Sequence, residues 1–469
     1  MLSTALVLLD PSADWLWVAG ACNLGALGAF MACHRDMRGA QRLTAAAIVV
    51  VFLLNYPLQA LVVDRMYNSE SFQSLWREFS LLRLDGSLVS RADVFYRITA
   101  IFALVCFSLI VYARFSPGVS PARPPANRTE QTGQGGQALA VIFGGGLFVA
   151  AIGLVIQFTS GVGSLTAENV FEGRLDGVLY HTLATLTPLL FMAVHWEALR
   201  QAHTGIARAS LAAYVALAVA EMTMLSSRGF IVLQMLPLVL LYLWMGVSTR
   251  RMLAIGLATV SITVIMYPVM TSVRSLRANS GYDAVDSIAA AFSANTERHD
   301  TFSDVARMTA RFIGYTSYLT SLERPDDRFD WSLLDLEKIV TLRENGFTRW
   351  FTEQVAGYGS GIRRHFSSPG LLGAAQVIGG PVCVVLLPPL FALLIMLGIK
   401  ALDRRAWRLG PLVPVNALAS LLFLLEEGVF DLIFTRLVLI TAALLMLSWL
   451  FKLTIPDQSR TASFAQGAS

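Results

Sequence analysis

Apolar stretches long enough to cross a lipid bilayer recur along almost the whole chain. A helix needs roughly 20 apolar residues to cross a hydrocarbon core about 30 Å thick. Such stretches predict about eleven transmembrane helices, centred on residues 15–33, 43–63, 95–112, 138–158, 178–195, 210–225, 230–247, 252–270, 371–397, 412–425 and 432–451. Composition agrees, because only 14% of the residues are charged, against roughly a quarter in a soluble protein. The sequence therefore predicts an all-α polytopic membrane protein.

The basic residues of the short loops predict how the spans are oriented. They lie in HRDMRGAQR, RFSPGVSPARPPANR, STRR and KALDRRAWR and at Arg200 and Arg208. Because short loops rich in Lys and Arg stay in the cytoplasm, these alternate loops are predicted to be cytoplasmic. The remaining loops, among them 64–93, 160–177 and 271–370, then face outward. The first span lacks a basic start, which predicts an uncleaved anchor with its N-terminus outside.

These spans divide the chain into four regions. Residues 1–270 hold eight predicted spans, 271–370 form a large outward loop, 371–452 hold three spans, and 453–469 form a tail predicted to be disordered and cytoplasmic. In the large loop, TFSDVARMTARFIGYTSYL and DWSLLDLEKIV place apolar residues at helical spacing. These patterns predict amphipathic helices that lie on the membrane, cap a cavity or simply pack over the helix bundle.

The usual signatures of metal and nucleotide chemistry are missing from the sequence. No pair of the four cysteines has the spacing of a metal or redox site, and the six histidines form no cluster with metal-ligand spacing. No glycine-rich loop with a phosphate-binding lysine is present. We therefore expect no metal, no cofactor and no nucleic-acid partner.

Basic side chains instead gather near the outer ends of predicted spans. They are Arg228, Arg274, Arg277, Arg363, Arg364 and His365. Guanidinium groups are weakly hydrated and bind phosphate oxygens through two parallel hydrogen bonds, so the arginines predict a bound diphosphate. A histidine titrates near neutrality and could move a proton or orient an attacking hydroxyl. Snorkelling of each side chain to lipid headgroups stays open as the alternative.

One acidic residue lies inside an apolar run close to this group. Glu221 precedes Arg228 by seven residues, which places it two helical turns, or about 10 Å, away along the same helix face. That distance is too long for direct pairing. A carboxyl within a membrane span is unusual enough to indicate a polar cavity there.

Three features of the sequence resemble the O-antigen polymerase and ligase superfamily: the turn SSRGFIVL, a long outward loop flanked by basic residues, and HFSSPGLLGAAQVIGGPVCVVL. The resemblance covers roughly residues 209–397. It implies a metal-independent glycosyltransferase of the bacterial inner membrane with a GT-C-like, lipid-dependent transferase fold. Its active site would face the periplasm and act on undecaprenyl-diphosphate-linked oligosaccharides. Membrane lipids and a chain-length regulator protein are the other partners that the resemblance implies.

The resemblance also assigns roles to the basic residues. It implies that Arg228, His365 and either Arg274 or Arg277 are catalytic; we take Arg274 as the catalytic arginine and Arg277 as substrate-binding. The other substrate-binding residues would be Arg363 and Arg364.

One departure from the family pattern bears on the reaction. Phe366 follows the histidine, where ligases of the superfamily commonly have asparagine, which favours a repeat-unit polymerase over an O-antigen ligase. A flippase for lipid-linked oligosaccharides is a second alternative, but it would place cations along the middle of many spans, where Lys and Arg are almost absent. A purely structural membrane partner would need no clustered arginines beside a histidine.

The predicted topology can be tested by cysteine accessibility. In a cysteine-free background, Ser293→Cys and Ser332→Cys in the large loop should react with a membrane-impermeant thiol reagent in intact spheroplasts, because that loop is predicted to face outward. Ser248→Cys, in the basic STRR loop, is the matched cytoplasmic control and should react only after permeabilisation. Protection of both loop positions until permeabilisation would overturn the topology.

Overall fold

A computed structural model describes residues 14–34, 37, 39–61, 91–116, 133–160, 182–225, 230–246, 261, 314–323, 328–330, 347, 350–355, 369–403, 409–427 and 430–454. Every regular element in these ranges is a helix, and none of them is a strand. The chain forms two compact units. The first comprises Met1–Pro121, Asp300–Leu402 and Leu418–Arg436, and the second Ala122–His299, Asp403–Ala417 and Leu437–Ser469.

Eleven α-helices are described, with three short π-helical turns. In the first unit they are α1 (Asp14–His34), α2 (Gly39–Leu53) with its continuation π1 (Leu54–Leu58), α3 (Arg91–Phe115), α8 (Gly314–Glu323), π3 (Phe351–Val355) and nearly all of α9 (Gly370–Asp403). The second unit holds α4 (Gly133–Ser160), π2 (Thr182–Leu186), α5 (Thr187–Arg200), α6 (Thr204–Leu225) and α7 (Phe230–Trp244). Residues of α10 (Leu412–Glu427) and α11 (Phe430–Thr454) belong to both units.

Seven of the described helical segments are long and apolar enough to cross a membrane: Ala40–Leu61, Ala92–Phe115, Gly135–Gln157, Thr182–Arg200, Thr204–Met222, Gly370–Asp403 and Leu437–Thr454. Three more apolar segments are shorter: Val18–His34, Gln234–Trp244 and Leu412–Leu425. Of the predicted span 252–270, only residue 261 is described. The chain is thus an all-helical, membrane-embedded protein, while the total of eleven spans stays a prediction.

The core of the first unit is built from the inward faces of α1, α2 and α3. Asn23 on α1 donates a hydrogen bond from Nδ2 to Thr99 Oγ1 on α3 at 3.1 Å. Phe52 at the end of α2 stacks on Phe102 of α3, with 6.3 Å between the ring centroids. In a membrane such contacts join helices through close packing and polar pairs, because lipid tails are as apolar as the helix surfaces.

In the second unit, glycines on one face of α4 allow close contact with the following helix. A Cβ on Gly146 would lie 2.8 Å from Leu190 Cδ2, and a Cβ on Gly153 would lie 2.6 Å from Leu183 Cδ2. The opposite face of α4 exposes large apolar side chains, among them Val141 at 75% and Phe148 at 67%. One face of α4 therefore packs on π2 and α5, and the other suits lipid.

The long helix α9 is broken near its first third. Gly380 has φ 67° and ψ −157°, and Pro381 follows it. In an uninterrupted helix the N–H at position 381 would donate to the Val377 carbonyl, but Pro381 has no N–H. The chain segment 328–330 supplies the missing donor, because the Phe329 N–H donates to the Val377 carbonyl at 3.1 Å. The Arg328 guanidinium also donates to the neighbouring Gln376 carbonyl.

The aromatic residue beside this break anchors a part of the predicted outward loop. Phe329 packs edge-on against Phe347, with 4.8 Å between the ring centroids, and against Trp350 at 5.3 Å. The same cluster includes Phe351 of π3 and Val377 of α9. Apolar contacts thus fasten segments of the 271–370 region to the helix α9 that follows it.

The break predicts different effects for two glycine substitutions in α9. Gly380→Ala should lower the free energy of unfolding by about 1–3 kcal/mol, because a Cβ is strained at this positive φ and would lie 2.8 Å from the Arg328 guanidinium. Gly398→Ala is the matched control, since no atom lies within 4 Å of its Cβ position, and alanine has the higher helix propensity. Thermal denaturation in detergent measures both. Equal stability of the two variants would contradict the proposed role of Gly380.

Candidate functional site

The six predicted site residues, Arg228, Arg274, Arg277, Arg363, Arg364 and His365, lie outside the described residues. Their roles and their mutual distances stay predictions. Two described elements adjoin them in the chain. Helix α6 ends at Leu225, just before the SSRG turn, and helix α9 begins at Gly370, five residues after His365.

The start of α9 is held in very close contact with two other segments of the first unit. Gly370 has φ 62°, and a Cβ there would lie 2.8 Å from the Gly314 Cα atom. A Cβ on Gly314 would in turn lie 2.9 Å from the carbonyl oxygen of Asn55. Only glycine allows backbones to approach this closely. The first residues of α8 and α9 therefore meet on the turn π1.

Side chains of the α2–π1 helix cap the first turns of both of these helices. The Leu372 N–H of α9 donates to the Tyr56 hydroxyl at 3.1 Å, and the Tyr315 N–H of α8 donates to Gln59 Oε1 at 2.9 Å. The first N–H groups of a helix have no partner within the helix, so these bonds satisfy donors that burial would otherwise leave unpaired. The first turn of α9, which begins five residues after His365 in the chain, is thus fixed by hydrogen bonds.

Two polar atoms beside these caps are buried and have no hydrogen-bond partner in the described ranges. They are Asn55 Oδ1, an acceptor, and Gln59 Nε2, a donor. The two residues are four positions apart on one helix, which places their side chains on the same face. A donor and an acceptor side by side complement a hydroxyl group or a water molecule.

Helix α8 also contacts a side chain of the membrane-spanning helix α3. Tyr318 of α8 is 1% exposed and receives a hydrogen bond from Arg97 of α3. Burial raises the pKa of the Tyr318 hydroxyl, and the charge of Arg97 opposes that rise. The sequence offered one signal for this contact, because Arg97 is a lone cation inside an apolar run. Tyr318 carried no such signal.

In the second unit, the last turns of α6 bury the predicted acidic residue. Glu221 is 0% exposed, and Gln157 of α4 donates from Nε2 to Glu221 Oε2 at 3.4 Å. Glu221 Oε1 and Gln157 Oε1 are both buried and have no hydrogen-bond partner among the residues that the structure describes. The carboxyl therefore faces a neutral amide, seven residues before Arg228 in the chain.

Near the start of α6, His195 of α5 forms a hydrogen bond that joins the two helices. The carbonyl of Ala207 can only accept, so His195 Nδ1 donates to it, at 2.7 Å. His195 Nε2 contacts the Tyr242 hydroxyl at 2.9 Å. One imidazole thereby links α5, α6 and α7. This arrangement supports packing as the role of His195.

The described residues contain no group of three or more His, Cys, Asp or Glu side chains that could hold a metal ion. The four cysteines are free thiols, and Cys106 is the buried one. What this part of the chain offers chemically is hydrogen bonding from amides and hydroxyls and the fully buried carboxyl of Glu221, which has no cation beside it among the described residues.

The fold and these sites define a helical, multi-span membrane protein with polar groups buried between its helices. No protein-family model, no curated protein and no solved structure with which we compared the chain matches it. Any statement about its activity therefore has to come from its own residues.

Proposed function

We propose that the protein is a glycosyltransferase that polymerises undecaprenyl-diphosphate-linked oligosaccharide repeat units at the periplasmic face of the bacterial inner membrane. The observation that carries the proposal is the place of Arg228, in a connection of only four residues between the apolar helices α6 and α7. Such a turn has no structural need for a cation. The GT-C-like fold with eleven spans belongs to the same proposal.

The proposed reaction needs only substrates that are already activated. A hydroxyl of one lipid-linked oligosaccharide attacks the anomeric carbon of another, and the bond from that carbon to the lipid diphosphate breaks. Arg228 and Arg274 offset the negative charge that grows on the leaving diphosphate, and His365 takes the proton of the attacking hydroxyl. Arg277, Arg363 and Arg364 bind the substrates. Catalysis then rests on orientation and on stabilisation of the leaving group.

The described helices support this proposal at two points. Helix α6 ends at Leu225 and helix α7 begins at Phe230, so a rigid element stands in the chain on each side of the SSRG sequence. The caps from Tyr56 and Gln59 fix the start of α9, which follows His365 in the chain. Rigid supports of this kind are what a preorganised site requires.

A flippase for the same lipid-linked substrates is the second candidate. The break of α9 at Gly380 and the buried Glu221 favour it, because broken helices and intramembrane carboxyls are typical of transporters. Against it, Lys and Arg are nearly absent from the middle of the described spans.

Deletion of the gene separates the three possible functions. Loss of a polymerase should leave glycan of a single repeat unit and remove long chains. Long lipid-linked polymer without surface attachment would indicate the ligase instead, and single units trapped on the cytoplasmic leaflet would indicate the flippase. Gel analysis of surface glycan and of extracted lipid-linked sugars gives the answer. Purified protein should also extend lipid-linked repeat units without an added nucleotide.

The proposed role of Arg228 predicts that lysine cannot replace it. If the guanidinium holds the diphosphate through two hydrogen bonds, Arg228→Lys keeps the charge but loses the planar donor pair. Both Arg228→Lys and Arg228→Ala should then reduce the polymerisation rate by about 10² to 10³. The measurement is glycan chain length in the deletion strain carrying each variant at equal membrane levels.

Arg208, exposed at the other end of α6, provides the matched control. Both Arg208→Lys and Arg208→Ala should give chains of normal length. Normal chains from Arg228→Lys together with short chains from Arg228→Ala would show that only the charge matters. Normal chains from both Arg228 variants would place the catalytic site elsewhere.

A further inference from the structure

Two carboxyl groups of the second unit are buried to the same extent but have opposite surroundings. Glu197 and Glu221 are both 0% exposed. Glu197 accepts hydrogen bonds from the Arg200 guanidinium, at 2.8 Å from Nε, and from Gln201 Nε2 at 2.7 Å. A second bond from the same guanidinium reaches its other oxygen. Glu197 is therefore an ionised carboxylate in a two-point ion pair.

Glu221 has no such partner among the described residues. Within the described part of the chain, its one hydrogen bond comes from the neutral amide of Gln157, and its second oxygen has none. In the described parts of the elements packed on α6, there is no Asp, Glu, Lys, Arg or His on α4, π2 or α7.

The charged groups nearest in the packing gather at the far end of α6. On α5 they are His195, Glu197 and Arg200. His195 contacts the carbonyl of Ala207, fourteen residues from Glu221, or about 20 Å along a helix. Arg208 lies at that same end. The two tyrosine hydroxyls on these helices are also engaged elsewhere, since Tyr214 donates to the Gln234 carbonyl and Tyr242 contacts His195.

These surroundings determine which form of the carboxyl is stable. An ionised carboxylate taken out of water without a cation loses far more hydration energy than a neutral carboxylic acid does. Protonation also changes the hydrogen bonding, because Glu221 Oε1 becomes a donor when it carries the proton. A donor is the complement of the unpartnered acceptor Gln157 Oε1.

We propose that Glu221 and Gln157 form a buried proton-binding site at the ends of two membrane-spanning helices, in which Glu221 carries a proton at neutral pH and the Gln157 amide orients the neutral carboxyl. The ligand of the site is the proton itself. Intramembrane carboxyls of this kind exchange protons in membrane proteins that move protons or solutes. The site does not depend on the glycosyltransferase proposed above, and its test needs no substrate.

Dicyclohexylcarbodiimide tests the site directly, because this apolar reagent enters membranes and reacts with protonated carboxyls. The carboxyl proton adds to one carbodiimide nitrogen while the carboxylate oxygen bonds to the central carbon. The full-length protein in membranes is treated and the modified residues are mapped by peptide mass spectrometry. We expect at least about tenfold more modification at Glu221 than at Glu197 near pH 6, since both oxygens of Glu197 are engaged by the Arg200 guanidinium.

The pH dependence gives a second measure. Modification of Glu221 should fall as the pH is raised from about 6 to about 9, because the reactive protonated form is lost, and Glu197 should stay unmodified throughout. Glu221→Gln should remove the labelled peptide, and Gln157→Leu should change the pH at which labelling is half lost. The labelling pattern of the wild-type protein tests the proposal even where a variant fails to fold.

Three results would overturn the proposal. Absence of label at Glu221 in wild-type protein at the lowest pH would show that the carboxyl is not protonated. Label at Glu221 that appears only in Arg228→Ala would show that the charge of Arg228 keeps the carboxyl ionised. Equal labelling of Glu197 and Glu221 would show that the reagent reports burial alone.

Discussion

The need to satisfy every backbone hydrogen bond away from water governs this structure. A continuous helix meets that need by itself, so each interruption within a span requires a replacement partner. In α9 Pro381 cannot donate to the Val377 carbonyl, and the Phe329 N–H takes that place, while Arg328 donates to the neighbouring Gln376 carbonyl. The break is stable because another part of the chain closes it, and that same contact ties the large loop region to the membrane helix.

The same requirement explains the junction at the start of α9. Helix N-termini expose N–H groups, and here Tyr56 and Gln59 receive them. Glycines at 314 and 370 let the backbones come close enough for these bonds to form. Arg97, which reaches Tyr318 from within a span, adds a further tie. The described parts of the 271–370 region are thus part of the membrane-embedded structure of the first unit rather than an independent appendage.

The sequence was sufficient to predict the helices but not the contacts between them. Apolar runs can be recognised in a sequence without knowledge of the fold. Each predicted span except 252–270 coincides with a described helix. The Tyr56–Leu372 bond joins residues 316 positions apart, and no local pattern marks it. Glu221 stood out because charge is rare in a span, whereas Gln157, its partner, resembles any polar residue near a helix end. The arginine site rests on short motifs outside the described residues, so its geometry stays a prediction.

Charge compensation connects the buried carboxyls to the proposed activity. Glu197 and Arg200 form an ion pair, so each group neutralises the charge of the other. At the other end of α6, a neutral Glu221 would make no demand on Arg228, which follows it by seven residues. An arginine without a carboxylate partner keeps its full charge for an anion, and its planar donors match phosphate oxygens. An ionised Glu221, about 10 Å away along the helix, would not pair with the guanidinium but would lower the positive potential that attracts a diphosphate. A protonated Glu221 and a diphosphate-binding Arg228 are therefore mutually consistent, although each stands on its own observation.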